Sequence, residues 1–381
     1  MRANGRAWAW AGWWAIPGLV LGALALSAGP GAAVVTGPCS NCHTMHNSQN
    51  AEPMAWTYSG TAKVADSSPN PHLLITDCVG CHSSTDGSTW KDAVSGAPVV
   101  FNMAEPGYGA TADGGATYQG LAAGNFYWVT RDDTFGHNIF THDANLSAAP
   151  GDASVCGSDS CHVNLDRAYT GGGQLNGRSA CQGCHLVSGS SAPSVTSWLH
   201  AKDPAALVNS ADQGWYRFLG GHDSGNGHGV SGVEDADWEH SPSSSVHNEY
   251  LGKDGDKTGT GGFAELGDTM TGLCTGCHGN IHTQDSTLAG SSPWLRHPSD
   301  APLPASGEFA SYVTYNPLIP VARPALSGVS STVTPGTDMV MCLSCHRAHA
   351  SPYYKMLRWD YRSTTLATAL AGCGVCHTRK Q

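Results

Sequence analysis

Apolar positions along this chain fall into two regimes. One continuous apolar run, Ala15 to Leu26, stands near the start, and no second run of about 18 residues follows it. Beyond residue 30, runs of strong helix formers are nearly absent, and hydrophobic residues come singly or in short groups between Gly, Pro, Ser and Asp. Short helical segments are expected at 353–371, at 372–377 and beside the cysteine motifs described below. The remainder reads as irregular chain with a few small hairpins.

The early run has the layout of a secretory signal. Arg2 and Arg6 precede it, Pro17, Gly18 and Gly22 interrupt it, and the small residues Gly31, Ala32 and Ala33 follow it. Residues 1–33 are therefore expected to be cleaved, leaving an exported chain, 34–381, without a membrane span. Cys39 follows Thr36-Gly37-Pro38, which is not a lipid-attachment box. Removing Arg2 and Arg6 leaves 17 of the 19 Lys+Arg against 30 Asp+Glu, a formal charge of −13. With no basic stripe, neither nucleic acid nor an anionic membrane surface is an expected partner.

Composition sharpens the picture. Gly and Pro account for 69 of 381 residues, too many turn formers for an ordinary aliphatic core, yet 14 Cys and 19 His exclude a disordered tail. An exported chain with an even number of cysteines usually carries disulfides, but here the spacing is decisive. Six C-x-x-C-H motifs occur: Cys39/Cys42/His43, Cys78/Cys81/His82, Cys181/Cys184/His185, Cys274/Cys277/His278, Cys342/Cys345/His346 and Cys373/Cys376/His377. A seventh, Cys156/Cys161/His162, has two extra residues between its thiols, and its alternative is a local disulfide. Every cysteine is used. Paired thiols at this spacing form thioethers to the vinyl groups of one haem, and the next His becomes the proximal iron ligand. A structural zinc site needs no His after each second Cys, and a thioredoxin-like motif would occur once. Seven covalent haems c are expected, and their porphyrins would fill the interior.

Twelve further His remain for distal ligation. His46, His282 and His349 lie three or four residues after a motif. Each is on the same side of its own porphyrin and should ligate a neighbouring haem. His72, His137, His200, His247 and His297 lie in short loops beside aromatic or Pro residues. That makes eight candidates for seven places. His222, His228 and His240 fall in a Gly-, Asp- and Ser-rich loop at 220–240 and read as solvated. The acids of this loop, Asp223, Glu234, Asp235 and Asp237, offer a weak calcium option without the spacing of a strong site.

The motifs are unevenly spaced, so no fixed repeat exists. The expectation is a single domain with haems 1–2 in 34–124, haems 3–4 in 125–260 and haems 5–7 in 261–381. About 50 residues per haem suffice to wrap a porphyrin but not to build separate domains.

The segments flanking the motifs carry a family resemblance. Cys39-Ser-Asn-Cys-His-Thr-Met-His-Asn-Ser48, Gly136-His-Asn-Ile139, Trp294-Leu-Arg-His-Pro298 and Cys342-Leu-Ser-Cys-His-Arg-Ala-His-Ala-Ser351 resemble the exported multihaem cytochromes of metal-reducing bacteria that polymerise into conductive filaments, the OmcS/OmcE type. The likeness runs from the first motif to the last. It implies a multihaem cytochrome c fold, mostly coil with few short helices and small hairpins, around a stacked chain of bis-histidine haems. It also implies that His46 ligates a haem of the adjacent subunit, and that His137, His297 and His349 are distal ligands. The count of seven, the wide Cys156–Cys161 motif and the segment 186–260 depart from the family pattern.

The expected function is a non-enzymatic electron conduit, assembling with itself outside the cell or at its surface. It would pass electrons to other multihaem cytochromes or external acceptors. A monomeric periplasmic carrier is the alternative. A reductase is the third reading, and the C-x-x-C-K motif that marks an open iron in nitrite-reducing enzymes does not occur.

Overall fold

The computed structural model describes residues 48–49, 52–53, 56–59, 62–65, 82–93, 96–107, 121–137, 181–185, 216, 219, 230–254, 268–275 and 297–379. Among them, α-helices are single turns or little more, and three of the five start at a motif: Gln182–His185, Cys342–Cys345 and Cys373–Cys376. Met270–Thr275 runs into the fourth motif-bearing turn at Cys274. The spacing itself explains them, since two thiols three residues apart face the same way only on a helical turn. A further turn, Leu366–Ala369, is capped by Thr365, whose side chain accepts from the Thr368 amide. The expected hairpin exists at Trp56–Ser59 and Ala62–Ala65, antiparallel across a two-residue link. No helix among the described residues is long and apolar enough to cross a membrane.

One feature exceeds the sequence reading. Five strands of two or three residues form a single mixed sheet in the spatial order Gly232–Val233, Glu249–Leu251, Ala322–Arg323, Met339–Val340, Ala301–Pro302. Tyr250 pairs antiparallel with Gly232 and parallel with Ala322, which in turn pairs antiparallel with Met339. Around it the polypeptide does bury apolar surface. Leu303, Tyr312, Tyr315, Ile319, Val321 and Trp359 form one cluster, and Tyr216, Val230, Tyr250, Met270, Met339 and Met341 another. Aliphatic side chains make up most of the first cluster, while Tyr and Met supply most of the second, each covering a large area. The motif cysteines join these clusters at their edges: Cys345 and Cys373 border the first, Cys184 and Cys274 the second.

A second tie fixes the histidine-bearing segments. Residues 121–137 are laced to 347–351 by backbone hydrogen bonds from Asn125 N to Ala350 O, His349 N to Ala123 O, His137 N to His349 O and Ser351 N to Phe135 O. Gly124 stands at φ +87°, and a Cβ there would lie 1.8 Å from the carbonyl oxygen of Ala350. The Asn102–Asn125 pair extends the lacing: Asn125 Nδ2 donates to Asn102 Oδ1 at 2.6 Å, and the Asn102 amide returns a bond to Asn125 Oδ1 at 3.1 Å. Replacing Gly124 by Val combines a left-handed backbone with a clash against main chain. Thermal unfolding of the haem-loaded protein is expected to shift down by the equivalent of roughly 1–3 kcal/mol, and an unchanged melting temperature would contradict the close approach.

Candidate haem-binding sites

A histidine binds iron through a ring nitrogen that keeps its lone pair, so the partner of the other nitrogen decides its readiness. In six described histidines Nδ1 faces an oxygen that can only accept: His247, whose Nε2 also meets an acceptor, and five others. His82 donates to Pro98 O at 2.8 Å, His346 to Lys355 O at 2.8 Å, and His137 to Ala348 O at 2.7 Å. His297 donates to Pro298 O at 2.9 Å and His377 to Glu308 Oε1 at 3.0 Å. The hydrogen is thereby held on Nδ1, and the Nε2 lone pair is left for a metal. Three of the five follow the second Cys of a motif, and the other two are distal candidates.

Two pairs of rings lie close to one another, one tilted at 59° and one edge-on at 84°. His185 and His349 have centroids 6.0 Å apart, and His297 and His377 have centroids 6.3 Å apart. Two imidazoles on opposite faces of one iron, each with a metal–nitrogen bond of about 2 Å and roughly another 1 Å from nitrogen to ring centre, stand about 6 Å apart. Both pairs fit an iron between them, and each joins a motif histidine to a distal candidate. Phe126 stacks on His349 at 4.4 Å. Burial, with His185 and His137 close by, pushes the His349 pKa down to about 3, which keeps the ring neutral. Burial likewise lowers His82. His137 lies within electrostatic reach of His346 and contributes to lowering its pKa, after burial.

Two of the motif thiols are held firmly protonated. Burial, then the neighbouring Cys376 and Cys373, pushes the Cys345 thiol up to about 12, and burial does the same for Cys376. Groups so far from ionising are neither nucleophiles nor thiolate ligands at neutral pH. The cysteines also mark which motifs adjoin. Cys274 and Cys342 interact directly, with Cys184 nearby, and Cys345 lies near Cys373 and Cys376. No disulfide joins any two of the seven described cysteines.

His247 is built differently. It is fully buried, stacked on Tyr315 at 3.5 Å, with Nδ1 on Ser243 O at 3.0 Å and Nε2 on Glu249 Oε1 at 3.2 Å. Both nitrogens face acceptors, and the ring belongs to a buried charge network. Arg323 Nε donates to Glu249 Oε2 at 2.9 Å, its Nη1 pairs with Asp338, and the Ser330 amide donates to Glu249 Oε1 at 2.7 Å. His240 departs from the solvated reading. It is half-buried and stacked on Trp90 at 4.0 Å, with its Nδ1 buried and unpartnered, and burial lowers its pKa. The signal for it was Trp238, two residues before. In the same loop Asp235 Oδ2 accepts from the amides of Asp237 and Glu239, closing a turn. Among the described residues no group of three or more His, Cys, Asp or Glu could hold a metal ion by itself.

The remaining predicted residues lie outside the described ones: Cys39, Cys42, His43, His46, His72, Cys78, Cys81, Cys156, Cys161, His162, His200, Cys277, His278 and His282, together with the leader, His222, His228 and Asp223.

Comparison with known proteins agrees with the motif chemistry. Residues 334–381, holding the last two motifs, match the family model "Doubled CXXCH motif". Over 87% of its length the chain is 25% identical to the C-type cytochrome OmcS of Geobacter sulfurreducens, covering 81% of that protein. The resemblance read from the motif flanks is met by this match. Two solved structures are also similar. The Outer Membrane Cytochrome S filament from Geobacter sulfurreducens is 19% identical, with 92% of this chain and all of that one covered at a TM-score of 0.45. The OmcS nanowires from the same organism are 21% identical, with 87% and 84% covered at a TM-score of 0.38. Those scores are too low to read one backbone from the other. The chain thus carries c-type haem attachment motifs and is similar to a known cytochrome over most of its length.

The buried network yields a pH dependence. Burial opposes the charge of Glu249, but hydrogen bonds from His247, Arg323 and the Ser330 amide outweigh it and hold the carboxyl below its ordinary value of 4.5. Its folded-state pKa is depressed, so the stability it contributes is present above that value and is lost as pH falls through the folded pKa. Thermal melts across acid pH should show this loss in the wild type. Glu249→Gln should cost roughly 3 kcal/mol at neutral pH and flatten the acid limb; parallel curves would refute the assignment.

Proposed function

We propose that the chain is a seven-haem c-type cytochrome, an electron-transfer protein without catalytic activity of its own, which polymerises end to end into an extracellular filament. The observation that carries this reading is the His185–His349 pair. His349 follows the motif at Cys342 by only a few residues, yet faces the motif histidine of Cys181/Cys184 at 6.0 Å. Ligation therefore links separate stretches of chain, as continuous electron transfer requires. Bound haem supplies reversible one-electron chemistry at iron; the polypeptide supplies attachment, orientation and exclusion of water.

Within this proposal His349 is the distal partner of His185, His297 of His377, and His137 of His346. His247, with both nitrogens committed, is the surplus name among the eight. The distal set is then His46, His72, His137, His200, His282, His297 and His349. The contacts of Cys274 with Cys342, and the closeness of Cys345 to Cys373, support an unbroken row through the last four motifs. Self-association through His46 and export past the cell envelope rest on the match to OmcS and on the flanks of the first motif.

Removing one axial ligand is expected to leave one haem high-spin. In His297→Ala the ferric spectrum should gain a single high-spin component with haem mass unchanged, whereas His247→Ala should stay fully low-spin. The opposite pattern would reverse the assignment of these two residues. Assembly has its own test: intact mass should report seven haems on the processed chain, and electron microscopy of secreted material should show filaments that His46→Ala reduces to monomers. Monomers alone in the wild type would leave a soluble carrier instead.

A further inference from the structure

We infer that Glu308 is a positioning residue that lowers the reduction potential of the haem at Cys373/Cys376, acting through His377; this rests on the haem-binding reading above. Among the histidines whose Nδ1 contacts are given above, His377 differs in the nature of its acceptor. His82 and His346, its counterparts in two other motifs, donate to neutral backbone carbonyls. His377 donates to a carboxylate, Glu308 Oε1, at 3.0 Å.

The contact is held at three points. Glu308 sits in the 3₁₀ turn Gly307–Ser311, whose first residue has φ +75°. The hydroxyl of Thr378, the residue after His377, donates to the Glu308 carbonyl at 2.5 Å. Phe309, the residue after Glu308, meets the His377 ring edge-on at 4.9 Å. Both side chains of the pair are mostly covered, 24% and 18% exposed, so water screens their interaction incompletely. The opposite face of the same iron position belongs to His297, whose Nδ1 meets only a carbonyl.

The electronic consequence follows from the hydrogen bond. A carboxylate accepting from Nδ1–H draws that hydrogen outward and gives the imidazole anionic character, which makes Nε2 a stronger donor. A stronger donor and an adjacent negative charge both favour ferric over ferrous iron. No bond is made or broken; the equilibrium of one one-electron couple moves. The neighbouring motif experiences the reverse. Arg358, buried behind Cys345, donates to the carbonyls of Leu343, Leu318 and Pro317 and places a cation there. The pair of motifs thus carries a built-in slope, low at His377 and higher at His346.

The test is a potentiometric titration of the full haem-loaded protein, followed in the visible haem bands, for wild type, Glu308→Gln, Glu308→Ala and the exposed control Glu105→Gln. In both Glu308 variants one component worth a single haem should move to higher potential by about 59 mV, a tenfold fall in its oxidised-to-reduced ratio at a given applied potential for a one-electron couple. One low-spin ferric signal in electron paramagnetic resonance should change with it, and the control should match wild type. Titrations that superimpose, with haem mass complete, would overturn the inference while leaving the haem-binding reading intact. A mass lacking haem on Cys373 and Cys376 would instead overturn that reading, and the inference with it.

Discussion

An imidazole whose Nδ1 hydrogen is pinned to an oxygen has a single lone pair left to offer, and this constraint organises the described part of the molecule. The acceptors are mostly backbone carbonyls, so ring orientation is set by the path of the main chain and not by side-chain packing. Short extended segments, tight turns and lacing hydrogen bonds place those carbonyls. A chain rich in Gly and Pro is suited to this work, because it must bend often and approach itself closely. Gly124 against Ala350 is the clearest instance.

The motif chemistry was legible because it is local. Two thiols and a histidine within five residues need one helical turn, and the turns at Cys342 and Cys373 follow directly. The mixed sheet was not legible, since its strands are two or three residues long and Ala322 pairs with Tyr250 across more than seventy positions. Nothing in so short a strand carries a period. The apolar clusters were underestimated for a related reason: members such as Leu303, Tyr315 and Trp359 are spread over more than fifty positions and meet only in the folded chain.

His247 and His240 show where reading histidines one at a time stops. His247 read as a candidate ligand from its loop position beside an aromatic and His240 as solvated, and in both the deciding fact lay elsewhere. His247 is claimed by Glu249, two residues on, which is itself fixed by Arg323 from a distant strand. His240 is drawn from solvent by Trp90, far away in sequence. By contrast the closeness of His349 to its own motif pointed to a neighbour, and its ring lies 6.0 Å from that of His185 in another motif.

The lacing of 121–137 onto 347–351 has an effect on failure as well as on form. His137 and His349 hang on opposite sides of one ladder, with the amide of the first bonded to the carbonyl of the second. A local opening there cannot release one ring and keep the other in place. Displacement at the two positions is thereby cooperative, and the junction opens as a whole instead of one ring at a time.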